Sequence, residues 1–295
     1  MTTRTLFDPV EAADELDRHP DYRVLRRLQP VARFHVPVGG VAKADLSVGA
    51  VVDVETTGLD READRIIELA VQRFRYDAMG RIVEVGQPRV WREDPGRPID
   101  EHITRLTGLT DADVAGQSID EAEALAILRS AKVIVAHNAA FDRPFIDRRL
   151  PEIAGKPWGC SMADLDWRAL GFEGRGLSHL LMQCGWFYEA HRAENDILAL
   201  LYLLAHQVSD GETVLKKLVS CAEQSTWRVH AIDSPFDSKD RLKARGYRWD
   251  GVMKHWWREV PHAELEAEQA WLRSDVYTGW GEPALHEVTW HQRYA

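Results

Sequence analysis

The chain has 295 residues, with 37 Lys and Arg against 47 Asp and Glu and a formal net charge of −10. Its 45% hydrophobic and 28% charged residues exclude wholesale disorder, and the acidic balance excludes a protein that coats nucleic acid by bulk electrostatics. The longest apolar run, the nine residues Ile197–Ala205, is far below the ~20 that a membrane span needs.

The opening MTTRTLFDPVEAADELDRHP has no apolar signal core, and Cys160, Cys184 and Cys221 form no CxxC pair. Both features give the expectation of a cytoplasmic protein with reduced thiols. Asp8-Pro9 opens a short helix that His19-Pro20 breaks, and Tyr22–Leu28 has helical spacing. Residues 1–47 are therefore expected to form a helical extension.

From Ala50 the pattern turns to strands: AVVDVET, then Ile66–Tyr76, a turn at Met79-Gly80, and Arg81–Trp91, limited by Gly86 and Pro88. A short helix is expected over Asp100–Thr107 and an amphipathic one over Asp120–Arg129, followed by a central strand Lys132–Ala136. Helices at Asp142–Leu150 and Glu194–His206 complete an α/β domain with a mixed sheet over 48–208. After a connection at 209–224, a small α+β module is expected over 225–295. It comprises a strand at 227–232, a helix from Ser238 to Arg245 stopped by Gly246, a hairpin turning at Asp250-Gly251, and a last helix Pro261–Arg273.

Asp53 and Glu55 stand two apart in a strand and so face the same way. Two such carboxylates at the end of a buried strand are costly unless cations hold them, and Mg²⁺ or Mn²⁺ prefers carboxylate oxygen and water. A lone D-x-E pair is more often an ordinary surface pair. Here HNAAFD puts Asp142 just past a strand end, HRAEND puts His191 before an apolar helix and Asp196 in its first turns, and TTGL follows the first pair. Four converging carboxylates can hold two ions ~4 Å apart to activate a water on a phosphoester, and His191 has the near-neutral pKa that a general base needs.

With its motifs DVETTGL (53–59), HNAAFDRPF (137–145) and HRAENDILAL (191–200), the chain resembles the DnaQ-like, or DEDDh, 3′–5′ exonucleases. That family includes proofreading subunits of replicative polymerases, ribonuclease T and oligoribonuclease. ITRLTGLTDADV (103–114) is a softer match, and the resemblance spans about residues 48–208. It implies an RNase H-like fold, a mixed sheet flanked by helices. It also implies two divalent ions, Mg²⁺ or Mn²⁺, and release of nucleoside 5′-monophosphates from single-stranded or frayed 3′ ends. By the same resemblance Asp53 bridges both ions, Glu55 and Asp196 complete one site, Asp142 supports the site directly or through water, and His191 is the base. Arg192 stands where the sister class carries a tyrosine.

The resemblance further assigns backbone N–H groups near Thr56 and Thr57 to the 3′ hydroxyl and Leu59 to a wedge against the last base. Asn138 and Phe141 are expected behind them, with core packing the favoured alternative for Phe141. His137 is expected to be a structural hydrogen-bonding residue, Trp158 and Trp167 core aromatics, and His102 and His179 receive no role. DNA is the expected substrate. The alternatives are an exoribonuclease of the same fold and a non-cleaving end-binding module; a polymerase or repair partner has no motif of its own.

Seven of the 11 tryptophans lie after residue 222, and the stretch 239–258 holds seven Lys and Arg against two Asp, a local net of +5 that leaves −15 on the remainder. Lys243, Arg245, Arg248, Trp249 and Trp257 are the candidates there for single-stranded nucleic acid, by phosphate attraction and base stacking. The alternative is that the rings fill the core of a small module, with Trp249 and Trp257 on its inner face.

Overall fold

A computed structural model describes residues 8–36 and 43–295. The chain divides into two compact units, Met1–Val219 with Tyr294 and Ser220–Arg293 with Ala295. Among the described residues, no helix is long and apolar enough to cross a membrane.

The first unit begins with α1 (Pro9–Asp17), whose start is capped by the Asp8 carboxylate accepting from the Val10 and Glu11 N–H groups. Tyr22–Leu28 is not a helix. Its Arg26–Arg27 forms a two-residue strand, β1, parallel to β8 (Trp186–Phe187), because pairing with a distant segment overrides local periodicity.

The main sheet is built from β2 (Ser47–Thr56), β3 (Ile66–Tyr76), β4 (Ile82–Val85), β5 (Arg89–Arg92), β6 (Val133–Ala136) and β7 (Trp158–Cys160). Its order is β4-β3-β2-β6-β7, with β5 also on β3. β2 runs antiparallel to β3 and parallel to β6, so the sheet is mixed. The expected third strand over Arg81–Trp91 is two strands on one edge of β3, separated where the Gly86 N–H turns to the Arg73 carbonyl. Gly49 is required by close approach: a Cβ there would run into the Phe74 ring of the paired strand.

Helices α2 (Glu101–Thr107), α3 (Asp111–Val114), α4 (Glu121–Ser130), α5 (Ala139–Arg149), α6 (Leu177–Gln183), α7 (Ala193–Ala205) and α8 (Val214–Ala222) flank or follow the sheet. Ala50, Val52 and Val54 of β2 share a core with Leu125 and Leu128 of α4 and Phe145 and Ile146 of α5. Trp158 and Trp167 are buried as core aromatics. α7 is apolar on most of its circumference and packs on β2 and β3.

The second unit is a four-stranded antiparallel sheet of β9 (Thr226–Ala231), β10 (Arg248–Asp250), β11 (His255–Pro261) and β12 (Ala284–Val288), in the order β10-β11-β9-β12. Helix α9 (Lys239–Ala244) precedes the hairpin, and α10 (Leu265–Trp271) runs into a π-helical turn, Leu272–Val276. Pro261 ends β11 rather than opening the last helix. Val229, Ala231, Leu242, Tyr247, Val260 and Leu272 form the core.

Candidate active site

Three elements bring the carboxylates together. Asp53 and Glu55 alternate with Val52 and Val54 on β2, so the valines enter the core while the acids share the opposite face. Asp142 is the fourth residue of α5 and Asp196 the fourth of α7. The β2–β6 ladder ends at Val51. Beyond it the Val54 N–H is donated to Asp142 Oδ1 at 3.2 Å, so the acid satisfies a strand amide that the sheet leaves open.

Asp196 Oδ2 accepts from the His191 and Arg192 backbone N–H groups at 2.9 and 3.2 Å, closing the start of α7. Its Oδ1 accepts from the Tyr188 hydroxyl at 2.8 Å. The chain reaches this helix through His191, whose φ of 65° is left-handed. The exposed imidazole lines the same cavity as the acids.

Asp53, Glu55 and Asp196 each offer an oxygen within 4.8 Å of the others, an arrangement able to hold a metal ion. Asp142 lines the same cavity, of about 550 Å³, outside that trio. Burial is the largest influence on each acid and raises it, and the acids raise one another: Asp53 stands well above the ordinary carboxylate range, Glu55 is pushed up to about 8 and Asp142 to about 7. Asp196 is raised by burial against the pull of the Tyr188 hydroxyl and the His191 N–H. Arg192 draws Glu55 down only weakly against its neighbours. Clustered acids short of cationic partners are the donor set that a hard divalent cation relieves, so the residues present fit such an ion.

Other expected contacts are distributed differently. Asn138 and Phe141 line the cavity, Phe141 also packing against Phe145 at 5.1 Å between ring centroids. Leu59 is 85% exposed, outside the cavity wall. Thr56 is buried and donates its hydroxyl to the Gly58 carbonyl at 2.5 Å. The Thr57 N–H, expected to meet a terminal hydroxyl, is donated to the Arg65 carbonyl at 2.9 Å. The Thr57 hydroxyl is also committed: it donates to Asp64 at 2.9 Å and accepts from Arg97 at 2.6 Å. Thr57 therefore ties down the turn after β2. His137 also lines the cavity, with both ring nitrogens engaged: its Nε2 donates to the Arg175 carbonyl at 2.9 Å, Nδ1 meets the Ser161 hydroxyl at 2.8 Å, and burial lowers its pKa to about 4.

No sequence motif marks Tyr188 or Glu68, and His179 has no role expected from the sequence. Tyr188 and His179 line the cavity. Glu68, buried and directly across from Glu55 in the strand register, accepts the Ala193 N–H at 3.2 Å and so anchors the first turn of α7. A lone acid in the apolar run IIELAV was its available signal.

The family model RNase_T, described as an exonuclease, matches residues 50–204, just over half of the chain, a span that holds Asp53, Glu55, Asp142, His191 and Asp196. The chain belongs to the exonuclease family. It falls in the DnaQ-like 3′–5′ group, and its mixed sheet flanked by helices is the RNase H-like fold expected of that group. Curated relatives include the PolC-type DNA polymerase III of Listeria welshimeri, 38% identical over 104 residues, which cover 33% of this chain and 6% of that one. The PolC-type DNA polymerase III of Thermotoga petrophila is 34% identical over 111 residues, or 37% of this chain and 8% of that one. The exonuclease family member thus matches only a small part of the length of these relatives. Among solved structures, E. coli exonuclease I in complex with a dA16 oligonucleotide is 18% identical, over 83% of this chain and 64% of that one, with a TM-score of 0.47. Exonuclease X in complex with 5′ overhanging duplex DNA is 23% identical, over 59% of this chain and 99% of that one, with a TM-score of 0.42.

In the second unit the candidates separate. Trp249 lies opposite Trp256 and Arg248 opposite Trp257 in the hairpin, so Trp249 and Trp257 are on opposite faces of the sheet, not together on the inner one. The Arg245 Nε donates to the buried Glu268 carboxylate at 3.0 Å and its guanidinium stacks on Trp271 at 4.3 Å, a structural commitment. The Trp257 ring is covered by the Arg228 guanidinium at 4.8 Å.

Proposed function

We propose that the chain removes nucleotides one at a time from the 3′ end of DNA by metal-dependent hydrolysis, releasing nucleoside 5′-monophosphates. The observation that carries this reading is the trio Asp53, Glu55 and Asp196, with oxygens within 4.8 Å of one another in a cavity that Asp142 and His191 also line. Membership of the exonuclease family supports it, and the naming of the curated relatives as DNA polymerases supports DNA over RNA.

Two divalent ions, Mg²⁺ or Mn²⁺, held by Asp53, Glu55 and Asp196 with support from Asp142, supply Lewis-acid stabilisation of phosphate oxygens when bound. His191 accepts a proton from the water that attacks the terminal phosphorus. The P–O3′ bond breaks, the phosphate stays on the released nucleotide, and the leaving O3′ takes a proton from solvent to become a new 3′ hydroxyl on the strand. The carboxylate of Asp196 holds the His191 backbone and thereby sets where the imidazole stands. Asn138 and Phe141 meet the terminal nucleotide in the cavity, Leu59 wedges against its base, and a backbone N–H near Thr56 donates to its 3′ hydroxyl oxygen.

The test is hydrolysis of 5′-labelled single-stranded and duplex DNA and RNA with Mg²⁺ or Mn²⁺. The expected result is a ladder shortening from the 3′ end, fastest on DNA, lost in chelator and lost in Asp53→Asn. Undiminished activity of Asp53→Asn, or products that shorten from the 5′ end, would overturn the reading; preference for RNA would transfer it to an exoribonuclease.

A further inference from the structure

A second cavity, of about 280 Å³, lies wholly within the second unit, bounded by Phe236, Trp249, Trp256, Lys239, Lys254 and Asp233. Its size is at the lower end of the ~300–1,000 Å³ typical of ligand sites. Two tryptophans paired across the hairpin form one wall, with ring centroids 5.5 Å apart at an interplanar angle of 61°. Trp249 is 52% exposed and Phe236 78% exposed, so these rings leave free faces that the core does not need.

The cations around this cavity differ in whether an acid holds them. Arg245 and Arg258 are bound to the buried Glu268, and Arg228 to Glu259. Among the described residues, Lys239, Lys243 and Lys254 form no ion pair with an acid. The Lys239 Nζ stands 4.3 Å from the Phe236 ring centroid and the Lys243 Nζ 5.8 Å from that of Trp256, which puts positive charge beside the aromatic faces. Of the nearby acids, Asp250 caps its own turn, its Oδ1 accepting from the Val252 and Met253 N–H groups at 2.9 and 2.8 Å. Asp233 alone lines the cavity, against two lysines.

Exposed flat rings flanked by lysines without acidic partners match one kind of ligand: a planar base joined to a phosphate. We propose that this cavity binds a nucleotide unit of single-stranded nucleic acid, the base stacking on Trp249 and Phe236 and the phosphates meeting Lys239, Lys243 and Lys254. The site is on the Trp249 face of the hairpin, and Arg245, Arg248 and Trp257 are not part of it. This assignment rests on the cavity and not on the catalytic reading, so its test is run without turnover.

Binding of a fluorescein-labelled oligothymidylate of about 15 residues, a length near the ~4–16 nucleotides that a small single-strand module covers, is measured by anisotropy with the full-length protein in EDTA. An abasic strand of equal length is the companion probe. Trp249→Ala is expected to weaken thymidylate binding about tenfold, to the level at which the wild type binds the abasic strand, while Trp249→Phe keeps most of the affinity. The double variant Lys239→Ala/Lys254→Ala is expected to flatten the salt dependence by roughly one to two units of slope. Arg248→Ala, on the opposite face, is expected to leave the preference for thymidylate over the abasic strand unchanged. Equal affinities and salt slopes in the wild type, Trp249→Ala and the lysine double variant would overturn the proposal and leave the cavity to an apolar protein segment. Equal loss in Trp249→Ala and Trp249→Phe would overturn the stacking role.

Discussion

His191 and Tyr188 flank Asp196 in different ways. The His191 backbone N–H is tied to Asp196, whereas its exposed imidazole faces the cavity; the Tyr188 hydroxyl is spent on the carboxylate itself. General base catalysis contributes ~10²–10⁴-fold. His191→Ala should therefore lower kcat by about that factor with little change in strand affinity, and a loss confined to KM would count against the base. Tyr188 acts one step further out, as a positioning residue: its hydroxyl lowers the charge cost on an acid that burial otherwise raises. Tyr188→Phe should shift the metal concentration for half-maximal rate upward about tenfold, in the range seen when partners of metal ligands are removed, while strand KM stays near the wild-type value. An unchanged metal midpoint would reduce Tyr188 to packing. The five catalytic candidates were legible because each sits in a short motif whose spacing states its side-chain direction. Tyr188 and Glu68 were not, because their importance lies in partners 8 and 125 residues away.

The turn from β2 to β3 shows where reading by motif stops. TTGL suggests amides aimed at a ligand, but Thr57 donates its N–H to Arg65, and its hydroxyl joins Asp64 and Arg97. A Cβ on Gly58 would collide with the same Asp64 carboxylate. Thr57→Val should cost about 1–3 kcal/mol, the penalty for stranding hydrogen-bonding groups, and be read as a lower Tm with strand KM largely kept. A raised KM at unchanged stability would return Thr57 to the substrate. Elements with strong periodicity, such as β2, β3, β6 and α7, were visible from residue pattern alone. Arg26–Arg27 and Trp158–Cys160 were not, because strands of two and three residues exist only through the partners they find. The hairpin carried a parity error of the same origin: pairing Asp250 with His255 puts Trp256, not Trp257, across from Trp249.

At the scale of the molecule, the carboxylate cluster should make stability depend on both pH and metal. The folded metal-free chain holds Glu55 at about 8 and Asp142 at about 7, above their ordinary values of 4.5 and 3.8. Raised acids bind more protons folded than unfolded, so their contribution to stability falls as pH rises. The unfavourable term is absent below about pH 4, grows between the unfolded and folded pKa values, and is complete above about pH 8. A divalent ion favours the ionised acids and reverses that loss by mass action, worth about 2.7 kcal/mol at a hundredfold excess over Kd. Adding Mg²⁺ or Mn²⁺ should therefore raise the Tm more at pH 8 than at pH 5.5, where protons already neutralise part of the cluster. Asp53→Asn removes one of the mutually repelling acids: without metal at pH 8 it should melt above the wild type, and it should lose most of the metal response. Scanning calorimetry with and without EDTA at the two pH values measures both effects. A metal shift equal at both pH values, or a variant less stable than the metal-free wild type at pH 8, would mean that the acids are held apart by something other than the cation they fit.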